Sequence, residues 1–287
     1  MLAPAAGGFA QAADAADAPP PRRKRMELKQ VLGIRRSIRF FDPDRPVERE
    51  KIQKILEAMR IASCAVNAHW LRAVVVQRKD IPKETLEKVK VPVAALVQEL
   101  APVHIYCYLD TAIVNEVKGA RLKELVDVGA LTPSHGWSHR FVDEFVYPMV
   151  LAPLTQNPAY PIAAAFDCGG AGTQGLLVAY DEGLGCCWTA FAADAMKELL
   201  GIPNTWIPLY CMNVGYPLES RDAGGQRPRP AFESLYFEGN ARTPFRRDPA
   251  VVKELEEAKM LTTPAFKGNS ERIREIRELT RKLGLPE

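Results

Sequence analysis

The run from Pro161 to Glu182 constrains the fold more than any other stretch. It reads as one long helix, yet Gly169, Gly170, Gly172 and Gly175 crowd its middle. Each glycine there costs about 1 kcal/mol relative to alanine. Something has to approach this helix closely enough to offset that cost, either another helix or a ligand. A nucleotide-binding glycine loop fits poorly, because no strand feeds directly into these glycines and their spacing is wrong. Close helix contact is therefore the expectation.

Helices and strands alternate around this element. Glu48 to Ile61 places Ile52, Ile55, Leu56 and Met59 at helical offsets, with Pro46 just ahead of the entry. Val74-Val75-Val76 reads as a buried central strand. Val103 to Asp110 alternates apolar residues with His104, Tyr106 and Tyr108, the period of a half-buried strand in which His104 is structural. Met196, Leu199 and Leu200 form a short helix stopped by Gly201 and Pro203, and Ile207 to Val214 is the last clear strand. Val251 to Met260 and Glu271 to Leu283 are expected helices.

Composition narrows the functional classes. An apolar fraction of 47% with 25% charged residues is ordinary for a globular chain of 287 residues. A net charge of +3 with dispersed arginines does not argue for a nucleic-acid partner. No run reaches the roughly 18 apolar residues of a membrane span. Six cysteines without a Cys-x-x-Cys pair support neither a zinc ribbon nor a thioredoxin motif. Cys186 and Cys187 are adjacent, but neighbours in extended chain point to opposite faces. A reducing cytoplasm fits this pattern. Residues 1–25 read as a disordered tail, with Asp14 and Asp17 interrupting the alanines and the basic cluster placed last, unlike a secretory signal.

Chemistry concentrates in three places. Ile34-Arg35-Arg36-Ser37-Ile38-Arg39-Phe40-Phe41 sets three guanidiniums and a hydroxyl among apolar residues, a combination suited to a bound phosphate and hence to a mononucleotide cofactor. A basic turn on a solvated helix end is the alternative. Asn67 and His69 stand just before an apolar strand. Gly183-Leu184-Gly185-Cys186-Cys187-Trp188 follows the long helix. His135 and His139 are four apart, but Pro133 and Gly136 argue against a regular helix and no third ligand is evident, so no metal is expected. A proton donor or stacking group suits either histidine better, and Trp137 suits a core position equally well. No Gly-x-Ser-x-Gly elbow or His-Glu-x-x-His helix is present.

Together these stretches resemble the FMN-dependent nitroreductase family. Its members carry an Arg-Arg-Ser-x-Arg opening, a Ser-x-x-Asn-x-Gln-Pro-Trp segment and a Gly-Leu-Gly-x-x-Trp turn, and order and spacing agree from about residue 28 to 235. The resemblance implies an α+β fold, a three-layer α/β/α sandwich on a mostly antiparallel central sheet, assembled as an intertwined homodimer around the long helix. It implies FMN held by Arg35, Arg36, Ser37 and Arg39, by Asn67 and His69, by the Thr189-Ala190 turn near flavin N5, and by Arg227 and Arg229 at the phosphate. His69 stands where glutamine is usual, Trp70-Leu71 replaces Pro-Trp, and the turn at Thr189 is one residue shorter.

Residues 26–240 would form the FMN-binding domain and 241–287 a helical extension that wraps a partner subunit. Residues 112–160 have no obvious counterpart in compact members. They form either a lid, with His135, Trp137, His139 and Phe141 as substrate-facing candidates, or an extended dimer surface. The implied activity is reduction of a nitroaromatic, quinone or similar electron-poor aromatic by NADH or NADPH, in ping-pong fashion through flavin N5, with no catalytic side chain needed. A specialised flavoenzyme of the same fold (reductive dehalogenase, flavin-consuming lyase or dehydrogenase) and a non-catalytic flavin-binding protein are the other readings.

Overall fold

A four-stranded sheet organises the molecule. The computed structural model describes residues 27–285, with strands β1 (Leu71–Gln77), β2 (Val103–Asp110), β3 (Gly185–Thr189) and β4 (Trp206–Gly215). They lie in the order β1-β2-β4-β3, and every neighbouring pair is antiparallel. Ser37 adds a parallel bridge to Cys186 on the outer side of β3.

Both faces of the sheet are covered. Val103, Ile105, Cys107, Met212 and Val214 pack on one face against Ile52, Ile55 and Met59 of helix Arg49–Arg60 and against Ala171 and Ala179 of helix Tyr160–Asp181. Tyr106, Tyr108 and Cys211 pack on the other against Leu86, Val89 and Met196, from helices Lys83–Val89 and Ala193–Leu200. The result is the expected α+β three-layer sandwich. Two strand expectations need correction. All eight residues of β2 are buried rather than half of them, because helices lie on both sides. Val74–Val76 belongs to an edge strand and is half-buried, since β1 pairs only with β2. His104 is fully buried with Nδ1 3.1 Å from the Tyr106 hydroxyl, and burial pushes its pKa down to about 4.

The glycines of the long helix divide into two sets. A Cβ at Gly172 would stand 2.9 Å from the Trp188 ring, and one at Gly175 would stand 2.6 Å from Met59. Those positions meet the expected close contact, partly from helix Arg49–Arg60. Gly169 and Gly170 instead open outward, beside Ile162 and Phe166, which are 76% and 84% exposed. The helix ends at Gly183, whose φ of 81° needs no Cβ, with the Leu184 N–H closing back on Ala179 O.

Between β2 and the long helix lie helices Ile113–Val117 and Ala120–Asp127 and a π-helical stretch, Val142–Leu151. Pro148 lies inside that stretch without ending it. The wider π register holds it, with Ala152 N–H bonding back to Tyr147 O. The two expected C-terminal helices form at Pro249–Glu257 and Ser270–Lys282. The last of these folds back on the chain itself. Its Leu279 packs in the chain's own core with Ile38 and Phe40. Leu235, Tyr236, Phe237 and Phe245, on the segment between β4 and helix Pro249–Glu257, are about half-exposed. The expectation for residues 1–25 lies outside the described residues. Among the described residues, no helix is long and apolar enough to cross a membrane.

Candidate functional site

The first candidate region is the loop after helix Leu28–Ile34. Ile38 N–H bonds to Cys186 O at 3.0 Å, which fastens the Arg-Arg-Ser-Ile-Arg stretch alongside β3. A Cβ on Gly185 would come within 2.7 Å of the Ile38 side chain, so the arginine loop and the Gly-Leu-Gly turn interlock through that glycine. Arg35 is half-buried. Burial first, then nearby Arg229, hold its pKa below the ordinary arginine value. Arg227 is lowered by burial, then by Arg39, with Arg272 and Arg229 also contributing. Arg35 thus lies within electrostatic reach of Arg229, and Arg227 within reach of Arg39 and Arg229, with the Glu219 carboxylate acting on Arg227 in the opposite sense, and the Ser37 backbone accepts from Arg39 Nη1 at 3.2 Å. Among the described residues, no carboxylate stands within ion-pair distance of these four guanidiniums.

Arg36 departs from its expected role. Its guanidinium is buried and donates to Gly225 O at 2.7 Å, to Gly33 O at 2.7 Å, to Arg35 O and to the Thr262 hydroxyl at 3.1 Å. These bonds tie the C-terminal segment to the loop and leave its fork turned into the protein. The assignment of Arg36 to the cofactor is replaced by a structural one. Sequence reading also missed Glu219. Its carboxylate accepts the backbone N–H groups of Arg39 and Phe40 and pairs with Arg272, and its side chain is fully buried. A lone acid just after the Gly215-Tyr216-Pro217 exit, facing an arginine-rich loop, was the available signal.

The second region precedes β1. His69 Nε2 lies 2.8 Å from Asn67 Oδ1, and Val66, Asn67 and His69 hold φ values of 49°, 53° and 54°. Three non-glycine residues in the left-handed region within four positions mark local backbone strain, which concentrates at functional sites. Burial, then Arg121, Arg60 and Arg72, lower the His69 pKa, so its ring is neutral near pH 7. Asn67 Oδ1 accepts only, so Nε2 carries the proton and Nδ1 keeps a lone pair. Two adjoining cavities of about 430 and 650 Å³ share His69. Leu122, Leu125, Leu131 and Trp137 wall one of them, and Arg72, Arg121 and Asp167 line the other.

Of the four lid candidates, only Trp137 lines this cleft. His139 Nε2 sits 2.7 Å from Asp127 Oδ1, and His135 Nδ1 sits 2.8 Å from the Thr132 hydroxyl, so each ring is held locally. Phe141 stacks on Phe145 at 5.3 Å on the exterior. The leucines of the insertion were not singled out from sequence, because Leu122 and Leu125 on helix Ala120–Asp127 have the spacing of any amphipathic helix and Leu131 follows in the turn beyond it. At the shortened turn, the Thr189 hydroxyl accepts from Asn213 Nδ2 at 2.8 Å and Ala190 O accepts from Gln98 Nε2 at 3.1 Å. The Thr189 hydroxyl keeps its own proton as a donor there.

The two regions lie at opposite corners of the sheet. Ser37 bridges β3 at Cys186, on one edge, at the level of Val103 and Gln77. His69 enters β1, the other edge, at the Leu71–Leu109 end. Strand spacing and rise put them roughly 30 Å apart, farther than a ribityl phosphate reaches.

A sandwich of this topology with an arginine loop locked to a Gly-Leu-Gly turn defines a class. The nitroreductase family model matches residues 33–107 and 147–216, and the chain belongs to that family. The model leaves 108–146 unmatched, which includes most of the insertion. A protein of Methanothermobacter thermautotrophicus, named by inference an NADH dehydrogenase/NAD(P)H nitroreductase, is 26% identical over 203 residues, covering 68% of this chain and 80% of its own length. The nitroreductase family protein of Streptococcus pneumoniae superposes with a TM-score of 0.58 at 19% identity, covering 74% of this chain and all of that one. An Exiguobacterium sibiricum protein assigned as a nitroreductase and solved in complex with FMN gives 0.55 at 19% identity, over 69% and 91% of the two chains.

Proposed function

We propose that this protein is an FMN-dependent oxidoreductase that takes electrons from NADH or NADPH and reduces an electron-poor aromatic such as a nitroaromatic or quinone. The observation that carries the reading is the set Arg35, Arg39, Arg227 and Arg229, linked pairwise through their charges, none of them in an ion pair, on the loop of Ser37 and the segment packed near it. That donor set fits a phosphate monoester dianion. Bound FMN would supply a hydride-carrying ring nitrogen, and the protein's own part is to orient it and exclude water. Arg35, Ser37, Arg39, Arg227 and Arg229 would hold the phosphate end.

Asn67 and His69 would meet the ring. Because they stand at the far corner of the same chain, they would come from a second copy. The apolar stripe of Ile162 and Phe166 beside the open Gly169 and Gly170 supports a homodimer through the long helix. Trp137 with Leu122, Leu125 and Leu131 would form an apolar wall for the aromatic substrate, which favours the lid reading of the insertion. Free thiols at all six cysteines suit a reducing cytoplasm.

The test is a visible spectrum of purified protein loaded with FMN, followed by anaerobic NADH and then NADPH. Flavin bands that bleach on either addition support the oxidoreductase. Bands that persist with both donors would rule out nicotinamide as the source of electrons, and failure to take up FMN would overturn the reading.

A further inference from the structure

The arginine loop is braced from outside the family-matched region. Helix Ser270–Lys282 begins 54 residues past the last matched position, Tyr216. Its Arg272 donates one guanidinium nitrogen to Glu219 and another to Glu275 at 2.7 Å. Glu275 in turn accepts from the Ser220 backbone and hydroxyl, so Glu219 is fixed through its own carboxylate and through the residue that follows it. Glu219 then holds the N–H groups of Arg39 and Phe40. A carboxylate that accepts two successive backbone N–H groups sets the local chain direction, and with it the place from which the Arg39 side chain departs.

The other half of the cluster is clamped by the same segment. Gln226 N–H bonds to Thr263 O at 2.9 Å, and Ala265 N–H bonds back to Gln226 O at 2.7 Å. The Gln226 side chain donates to Met260 O at 3.2 Å and accepts from Thr262 N–H at 3.1 Å. Arg227 follows directly. Gly225, with φ 109°, lets the chains approach, since a Cβ there would stand 2.9 Å from Thr263 O. Arg36 closes the arrangement by joining Gly225 O to Thr262.

We infer that the C-terminal segment 260–285 preorganises the phosphate-binding arginines, with Arg272 and Glu219 as a positioning pair that sets the preference of the site for a phosphorylated flavin. Like charges within reach of one another repel, so four unpaired guanidiniums do not converge unaided. The brace holds them together before the anion arrives and so removes an ordering cost from binding. Neither Arg272 nor Glu219 needs to touch the ligand.

This inference rests on the FMN reading above, and its test separates the two. Affinities for FMN and for riboflavin, which lacks the phosphate, are measured by flavin fluorescence for wild type, Arg272→Met, Arg272→Lys and the Arg35→Ala/Arg39→Ala double variant. Arg272→Met should weaken FMN about tenfold or more while leaving riboflavin unchanged, and Arg272→Lys should restore part of the loss. A merely structural role would weaken both flavins alike, as Leu279→Ala on the same helix should. Equal losses for both flavins in Arg272→Met, or no loss of FMN, would overturn the positioning role. If the double variant itself keeps its preference for FMN over riboflavin, the phosphate assignment fails instead. Should Arg272→Met not fold, Gln226→Ala carries the test, with the same selective loss expected at smaller size.

Discussion

The arginine corner and the Asn67–His69 corner are built in opposite ways. At the first, a buried carboxylate, a buried guanidinium and a C-terminal helix hold the loop through bonds within one chain. At the second, strained backbone at Val66, Asn67 and His69 borders two cavities walled by the insertion and by the long helix, and the side-chain bond between its two candidate residues is that of His69 to Asn67. Under the proposed FMN site, a single copy would complete the anchoring half and leave the other half unfinished. A second copy docked on the long helix would bring the finished half of one chain to the unfinished half of the other.

The largest effect should come from breaking that docking. Phe166→Asp places a charge on the exposed stripe of the long helix and should weaken association on the order of a hundredfold or more. Light scattering should then report monomers that fold but retain little FMN. A dimer that persists would move the interface elsewhere and remove the reason for a shared site.

A middle-sized effect should strike the finished corner alone. Gly185→Val forces a Cβ to within 2.7 Å of Ile38, a small-to-large clash worth about 1–3 kcal/mol. Thermal unfolding should shift down and FMN should loosen, while the dimer survives in light scattering. Unaltered FMN affinity would mean that the interlock with the arginine loop is irrelevant to the site.

The effect expected to be smallest on flavin binding concerns the buried interior. Buried His104 stays neutral in the fold down to about pH 4, whereas the unfolded chain takes up that proton near 6.5. Its folded pKa is depressed, so the stability it contributes is full above 6.5 and is lost as pH falls toward 4, by up to roughly 3 kcal/mol. Urea midpoints should fall between pH 7 and pH 5, and His104→Gln should flatten that fall. A slope unchanged in the variant would assign the acid sensitivity to the carboxylates instead.

Much of this was legible in the sequence where a motif is local. The glycine-crowded helix, the Gly-Leu-Gly turn and the arginine loop each carry their constraint within a few residues, and the family follows from their order. The parts that were misread depend on pairing across the chain. Arg36 and Arg39 look equivalent in sequence, yet one is turned inward by Gly225 and Thr262, which lie far along the chain. β2 alternates like a half-wet strand because tyrosines and a histidine occupy the face that helix Ala193–Leu200 covers. Glu219 and Arg272 are unremarkable charges until the C-terminal helix folds back. His135, His139 and Phe141 looked like lid residues by composition, but only Trp137 among the candidates turns toward the cleft.

The central claim is that one flavin site draws its two halves from two copies. The most direct measurement mixes an Arg35→Ala/Arg39→Ala chain with an Asn67→Ala/His69→Ala chain, lets subunits exchange, isolates the mixed dimer and measures bound FMN. A mixed dimer carries both lesions at one site and none at the other, so it should bind flavin at one of its two sites with wild-type affinity while both parent dimers bind weakly. A mixed dimer no better than its parents would mean that each site lies within a single chain, and the account would fail.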